Sequence, residues 1–173
     1  MRAVPAPVPA DPDEARKAAQ AVALRLLAGR EMSTGRLRER LGSRGFPDGV
    51  IDEIVARLTR AGILDDGRAA GAAARTLLVV KLRGQHRVGR ELERLGFTQE
   101  QSRAAVQAVL ADGDERAVLD RVVASKLRGR RTIPDAASYR RLFASLLRRG
   151  FPSDLIRTAL RPYWQHRAEP QQE

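Results

Sequence analysis

The chain has no cysteine, which excludes disulfide bonds and thiolate metal sites. Its two histidines, His86 and His166, lie far apart in the sequence, and neither begins a metal-ligand pattern. No apolar run approaches the roughly 20 residues that a membrane-spanning helix requires. The first ten residues are interrupted by three prolines and lack the apolar core of a signal peptide. From these absences we expect a cytoplasmic protein with no membrane contact, no metal and no cofactor.

Aromatic residues are also scarce, at 4% of the chain. Single-stranded nucleic acid is often held by bases that stack on exposed rings, and so few rings cannot form such a platform. We expect Trp164 to be a partly buried anchor of the last helix, since its ring is apolar and its N–H is polar. Sequence-specific reading of bases is therefore not expected.

Basic residues are abundant. The formal charge is +11 and the isoelectric point is about 11.3, which indicates a polyanionic partner or a partner that carries a polyanion. The excess grows along the chain, from +2 up to residue 58, through +4 over residues 59–109, to +5 beyond. The basic character therefore increases toward the C-terminus.

A Gly-Phe pair occurs three times, at intervals of 51 and then 54 residues, and apolar residues recur at fixed offsets from it. A repeat of this length is typical of one supersecondary unit stacked on its neighbours. The pairs are Gly45-Phe46, Gly96-Phe97 and Gly150-Phe151. The recurring apolar residues are Leu37, Val88 and Leu142, then Leu41, Leu92 and Leu146, and after the pair Val55, Val106 and Leu160.

Local signals predict that each pair stands between two helices. Ser33, Gly84 and Ser138 lie thirteen residues before the three phenylalanines, where the first helix needs its N-cap. The glycine of each pair fits the left-handed position that ends a helix, and the following Phe then packs on the leucine five residues before it. The second helix follows with apolar residues at helical spacing.

The predicted fold is all-α: three tandem three-helix repeats forming an elongated, curved, right-to-left stacked array. The predicted parts are a disordered tail (1–10), repeats over residues 11–62, 63–112 and 113–163, and a frayed tail (164–173). Repeats that contact only their neighbours lack the deep concavity of a typical enzyme. We therefore expect no catalytic activity.

One pair of adjacent carboxylates is a candidate for a general acid and base. Asp65 and Asp66 are adjacent carboxylates, but no histidine or lysine stands near them in sequence to complete a general acid and base. Both lie where a helix start requires a cap and an acidic first turn. We interpret them as helix-capping residues. No glycine-rich phosphate loop or nucleophile motif occurs either.

Arginines recur at fixed offsets from the phenylalanines, ten residues before at Arg36, Arg87 and Arg141, and three before at Arg94 and Arg148. Residues seven apart share one face of a helix, so these side chains are predicted to form a basic strip. The strip fits a phosphate backbone or an acidic protein groove equally well. Further basic residues near it or in the connectors are Arg40, Arg90, Lys81, Arg83, Lys126, Arg128, Arg130 and Arg131.

The sequence resembles the RecX family of bacterial regulatory proteins, which control the RecA recombinase. The resemblance spans about residues 15–163. It rests on these segments: residues 23–31 (ALRLLAGRE), Ser33 before Leu37 and Leu41, residues 44–46 (RGF), residues 62–66 (GILDD) with Arg68, residues 87–97 (RVGRELERLGF) and residues 142–151 (LFASLLRRGF).

The resemblance implies a protein without catalytic activity that binds the RecA filament on single-stranded DNA. Binding would inhibit filament extension, ATP hydrolysis, strand exchange and the coprotease activity. We also expect a monomer, with double-stranded DNA as a second candidate ligand. The alternative is a sequence-tolerant DNA-binding module that uses the same basic face. One departure stands out, because Ala69 and Ala73 replace aromatic residues that are usual in the family.

Overall fold

The computed structural model describes residues 9, 11–111 and 113–164, and within that part of the chain all regular structure is helical. Two α-helices precede each Gly-Phe pair and one follows it, so the predicted all-α array of three-helix repeats is confirmed. A π-helical turn (Thr76–Val80) follows α4, and a 3-10 turn (Arg161–Tyr163) follows α9. The α-helices are α1 (Pro12–Ala28), α2 (Thr34–Gly42), α3 (Asp48–Arg60), α4 (Asp66–Arg75), α5 (Gln85–Arg94), α6 (Gln99–Ala111), α7 (Glu115–Leu127), α8 (Ala136–Arg148) and α9 (Ser153–Leu160).

Two compact units divide the molecule. The first unit is the part up to Ala73 together with Glu91–Ala105, and the second unit is Ala74–Arg90 together with the part from Val106. The predicted repeat boundaries stay a prediction. The predicted tails lie outside the described residues except for Pro9 and Trp164. Trp164 is half-buried, and its ring centroid lies 5.0 Å from that of Tyr139, as expected for an anchor of the last helix.

Each Gly-Phe pair ends a helix as predicted. The glycines have positive φ angles of 86°, 89° and 94°, the left-handed conformation that a glycine adopts without steric cost. Each Phe is buried, and its N–H donates to the carbonyl of the leucine five residues before it, which is the hydrogen bond of a Schellman motif. The bonds are Phe46 N to Leu41 O at 3.4 Å, Phe97 N to Leu92 O at 3.2 Å, and Phe151 N to Leu146 O at 3.3 Å.

In two of the three copies, the helix that precedes the Gly-Phe pair begins where predicted. Ser33 caps α2 by accepting a bond from Arg36 N at 3.1 Å, and α5 begins directly after Gly84. The third prediction is wrong, because Asp135 caps α8 and accepts from Ser138 N at 2.6 Å. A carboxylate three residues earlier takes the cap because its oxygens reach the unpaired N–H groups of the first turn.

In the first unit, the start of α2 packs on the second Gly-Phe turn. Ser33 Oγ donates to Leu95 O at 2.5 Å, and a Cβ added to Gly35 would lie 2.5 Å from Gly96 O. The contact therefore needs glycine at position 35. The core beside it consists of Ala19, Ala23, Met32, Leu37, Leu41, Phe46, Ile51, Ile54, Val55, Leu58 and Leu64.

In the second unit, the start of α5 packs in the same way on the third Gly-Phe turn. Gly84 N donates to Arg149 O at 2.9 Å and His86 N donates to Gly150 O at 3.1 Å. The unpaired N–H groups of one helix start thus satisfy the unpaired carbonyls of one helix end. The core of this unit consists of Leu119, Val122, Val123, Leu127, Ile133, Leu146, Phe151, Ile156, Ala159 and Leu160.

Candidate nucleic-acid interface

The strip arginines of the first unit are partly engaged within the protein. Arg36 and Arg40 on α2 are half-buried, and the Arg36 guanidinium forms an ion pair with Glu39 one turn along the helix. The Arg40 carbonyl accepts a bond from Arg44 Nη1 at 2.6 Å. Arg94, at the end of α5, is exposed. The charge of Arg36 is therefore partly balanced within the protein by Glu39.

The second unit gathers four arginines where α5 starts and α8 ends, and we call Arg83, Arg87, Arg148 and Arg149 the arginine cluster. Arg149 Nη1 donates to Leu82 O at 3.2 Å, and Arg87 Nη1 donates to Arg148 O at 3.5 Å. Carbonyls near a helix end carry partial negative charge and attract cations. The backbone contact between α5 and α8 therefore also brings Arg83, Arg87 and Arg149 together, and the exposed Arg148 lies at the same helix end.

Arg83 is a half-buried member of the arginine cluster, and its pKa is perturbed. Burial lowers the pKa of Arg83, and the neighbouring charges of Arg87 and Arg149 lower it further. Like charges held together destabilise one another in the absence of an anion. A bound anion would relieve that repulsion, so the cluster is a candidate binding site for a polyanion.

Arg149 is the member of the arginine cluster that the sequence reasoning missed. It stands two residues before its Phe, where the earlier copies have Arg44 and Leu95. The position is basic in two copies, but it lies eight residues after Arg36, Arg87 and Arg141 instead of seven, so the helix-face spacing did not select it. The available signal was the doublet of arginines directly before Gly150.

The basic connector after α7 forms a second group. Lys126, Arg130 and Arg141 line one cavity of about 260 Å³ in the second unit. The other predicted members do not line this cavity and are exposed: Lys81, Arg90, Arg128 and Arg131. The residues of the predicted basic strip and connectors thus lie in separate places: in the arginine cluster, at the cavity lined by Lys126, Arg130 and Arg141, and at other surface positions.

The paired acids are structural, as interpreted from the sequence, but they do different things. Asp65 Oδ1 accepts from Arg68 N at 2.9 Å and caps α4. Asp66 accepts from Thr34 N at 2.7 Å through Oδ1 and from Gln101 Nε2 at 3.1 Å through Oδ2. Asp66 therefore joins the starts of α2 and α4 to α6, and its two oxygens are already hydrogen-bonded.

Among residues 9, 11–111 and 113–164, no three His, Asp or Glu side chains lie together as metal ligands would. In the same part of the chain, no helix combines the length and the apolar character needed to cross a bilayer.

Comparison with known proteins gives the family. Residues 19–58 match the family model described as the first three-helix domain of RecX, and residues 114–160 match its third three-helix domain. A "Regulatory protein RecX" from Mycobacterium ulcerans is 33% identical over 148 residues, which are 85% of this chain and 84% of that protein. The chain belongs to the RecX family.

Other RecX proteins agree with this assignment. The RecX of Trichlorobacter lovleyi is 36% identical over 141 residues, covering 78% of this chain and 88% of the relative. The crystal structure of RecX from Lactobacillus salivarius superposes with a TM-score of 0.73, covering 84% of this chain and 94% of that chain at 19% identity. That structural similarity supports the fold.

The two alanines that depart from the RecX pattern leave space in the first unit. Ala69 is buried on α4, and α4 is well formed despite the missing ring. A cavity of about 440 Å³ beside Ala69 extends to Leu24 and Ile63. A second cavity of about 280 Å³ is lined by Ala69, Ala73, Leu95 and Phe97 among others. The small side chains therefore change the packing around α4 and leave the helix itself intact.

Proposed function

We propose that this chain is a non-enzymatic regulator of the RecA recombinase. In this proposal it binds the RecA filament on single-stranded DNA and inhibits filament extension, ATP hydrolysis, strand exchange and the coprotease activity. It acts as a monomer in the cytoplasm, where such filaments assemble. Membership of the RecX family, whose members are named as regulatory proteins, supports this role.

The arginine cluster is the observation that carries the proposal. The contact between α5 and α8 holds Arg83, Arg87 and Arg149 near one another, with the exposed Arg148 at the same helix end, and this concentration of positive charge favours an anion. A filament of RecA on DNA offers phosphates together with acidic protein side chains, so it can supply several anions at once. Arginine also binds phosphate and carboxylate through two parallel hydrogen bonds, which gives the contact a defined geometry.

The direct test uses RecA filaments on single-stranded DNA. ATP hydrolysis and strand exchange are measured with increasing amounts of this protein. We expect both activities to fall at amounts stoichiometric with the filament. If both are unchanged there, the proposed function is wrong.

The second candidate is a DNA-binding module that acts without RecA. The cavity lined by Lys126, Arg130 and Arg141 favours it, because clustered cations bind a phosphate backbone without reading its sequence. This candidate predicts salt-dependent binding to naked DNA. It also predicts no inhibition of RecA ATP hydrolysis or strand exchange once excess free DNA has been removed. The two candidates are therefore separated by the same filament assay.

A further inference from the structure

The connector between α7 and α8, with residues of both helices, lines the basic cavity of about 260 Å³, which is open to solvent. Small-molecule pockets typically begin at about 300 Å³, so this space suits a small group better than a whole nucleotide. Its charged lining consists of three cations, Lys126, Arg130 and Arg141. The Asp135 carboxylate lies beside the lining, where it accepts a bond from Ser138 and interacts with the charge of Arg141. The cavity therefore favours one compact anion.

Neutral hydrogen-bonding groups line the same cavity. The hydroxyl residues are Thr132, Ser138 and Ser145. Ser138 Oγ donates to Asp135 Oδ2 at 3.1 Å and accepts from Arg141 Nη2 at 2.9 Å. A phosphate accepts hydrogen bonds through its oxygens and pairs well with arginine. The three cations and the hydroxyls of Thr132 and Ser145 therefore form a suitable set, whereas Ser138 already donates its proton to Asp135.

The cavity is held in shape before any ligand binds. Asp135 caps α8 and fixes Ser138, which in turn orients the Arg141 guanidinium. Ile133 is buried, and its N–H donates to Tyr163 O at 2.8 Å. This bond joins the connector between α7 and α8 to the 3-10 turn that follows α9. Preorganised donors bind more tightly because less side-chain freedom is lost on binding.

We propose that this cavity binds one phosphate of a nucleic-acid backbone. The apolar lining residues Leu127, Ile133 and Leu142 offer contact area for the adjoining sugar, and nothing in the lining selects a base. Binding is therefore sequence-tolerant. This proposal rests on the proposed function in one respect, which is that the bound phosphate belongs to the DNA of the RecA filament.

The test measures binding of the full chain to a fluorescent oligothymidine across a salt series, in the absence of RecA. The variant Lys126→Gln/Arg141→Gln removes two cavity cations. Its matched control, Arg121→Gln/Arg140→Gln, removes two exposed cations from the same helices outside the cavity. We expect the log–log salt slope of the cavity variant to be smaller than that of the control by about 0.7, the value for one single-strand phosphate contact.

A second variant leaves the net charge unchanged. Thr132→Val/Ser145→Ala removes two lining hydroxyls, and we expect roughly tenfold weaker binding, because hydrogen bonds to a charged group are stronger than neutral ones. Thermal unfolding of each variant shows that it is folded. Equal salt slopes for the cavity and control variants, or unchanged affinity of the hydroxyl variant, would overturn the proposal. Because RecA is absent, these outcomes are independent of the filament assay.

Discussion

At the residue scale, Gly84 controls how closely α5 approaches the third Gly-Phe turn. A Cβ added there would overlap the carbonyl carbon of Gly150 and the amide nitrogen of Phe151. These are backbone atoms, which cannot move aside as the end of a flexible side chain can. Gly89, five residues further along the chain, has open space around it. The two glycines therefore have different roles.

We predict that Gly84→Ala lowers the free energy of unfolding by about 1–3 kcal/mol, the usual cost of forcing extra volume into a packed contact. Gly89→Ala is the matched control and should raise it by about 0.5–1 kcal/mol, since alanine favours the helix interior more than glycine. Urea denaturation of both variants measures the difference. A Gly84→Ala variant as stable as Gly89→Ala would contradict the described contact.

Glu115, at the start of α7, is a half-buried carboxylate with a raised pKa. Burial raises its pKa above the ordinary value of 4.5, against the lowering effects of the bond from Gln85 N and the charge of His86, while Asp154 and Asp114 raise it further. The folded protein therefore holds this proton more tightly than the unfolded chain. The resulting stability is fully present below the ordinary pKa and is lost as pH rises through the raised value.

We predict that Glu115→Gln matches the wild type at about pH 4 and becomes more stable than it toward about pH 7, because glutamine keeps an acceptor for Gln85 N and carries no charge. Denaturant unfolding across that range measures the change. The same substitution at Glu100, exposed in the first turn of α6, controls for losing an acid at a helix start. A constant difference at all pH values would refute the assignment to Glu115.

At the element scale, the Gly-Phe helices were predictable because their signals are local. The cap at Ser33, the stop at Gly45 and the packing of Phe46 on Leu41 all depend on residues within one turn or two of each other. Asp66 was only half predictable. Its place at a helix start is visible in the sequence, whereas its bonds to Thr34 and Gln101 depend on tertiary packing.

Other elements escaped prediction for the same reason. The π-helical turn after α4 is closed by a bond from Lys81 N to Thr76 O at 3.0 Å, and no residue pattern at its ends distinguishes it from an α-helix. The arginine cluster forms only because the start of α5 meets the end of α8. Periodicity places side chains on faces of helices, but it does not say which helix ends come together.

The cavity beside Ala73 gives a prediction about α4. We expect Ala73→Phe to raise the free energy of unfolding by about 1 kcal/mol, because the ring would bury apolar surface in the cavity of about 280 Å³. Thermal unfolding should show a midpoint about 2–4 °C higher. Ala72→Phe, on the exposed side of α4, is the control and should be neutral or slightly destabilising. An Ala73→Phe variant less stable than this control would show that the cavity cannot accept a ring.

At the scale of the whole molecule, charge is concentrated where helices end. The chain carries +11 overall, and the excess of basic residues is largest beyond residue 109. The second unit also holds the arginine cluster, where Arg83 lies close to the charges of Arg87 and Arg149. This favours the second unit as the part that contacts a polyanion.

The most direct measurement is the ATPase activity of RecA on single-stranded DNA, titrated with the wild type and two charge-reversed variants. Arg87→Glu/Arg148→Glu reverses two members of the arginine cluster, and Arg103→Glu/Arg121→Glu reverses two exposed arginines on α6 and α7. We predict that the wild type and the control inhibit at stoichiometric amounts, while the cluster variant needs roughly tenfold more protein. No inhibition by the wild type, or equal inhibition by the cluster variant, would contradict the account.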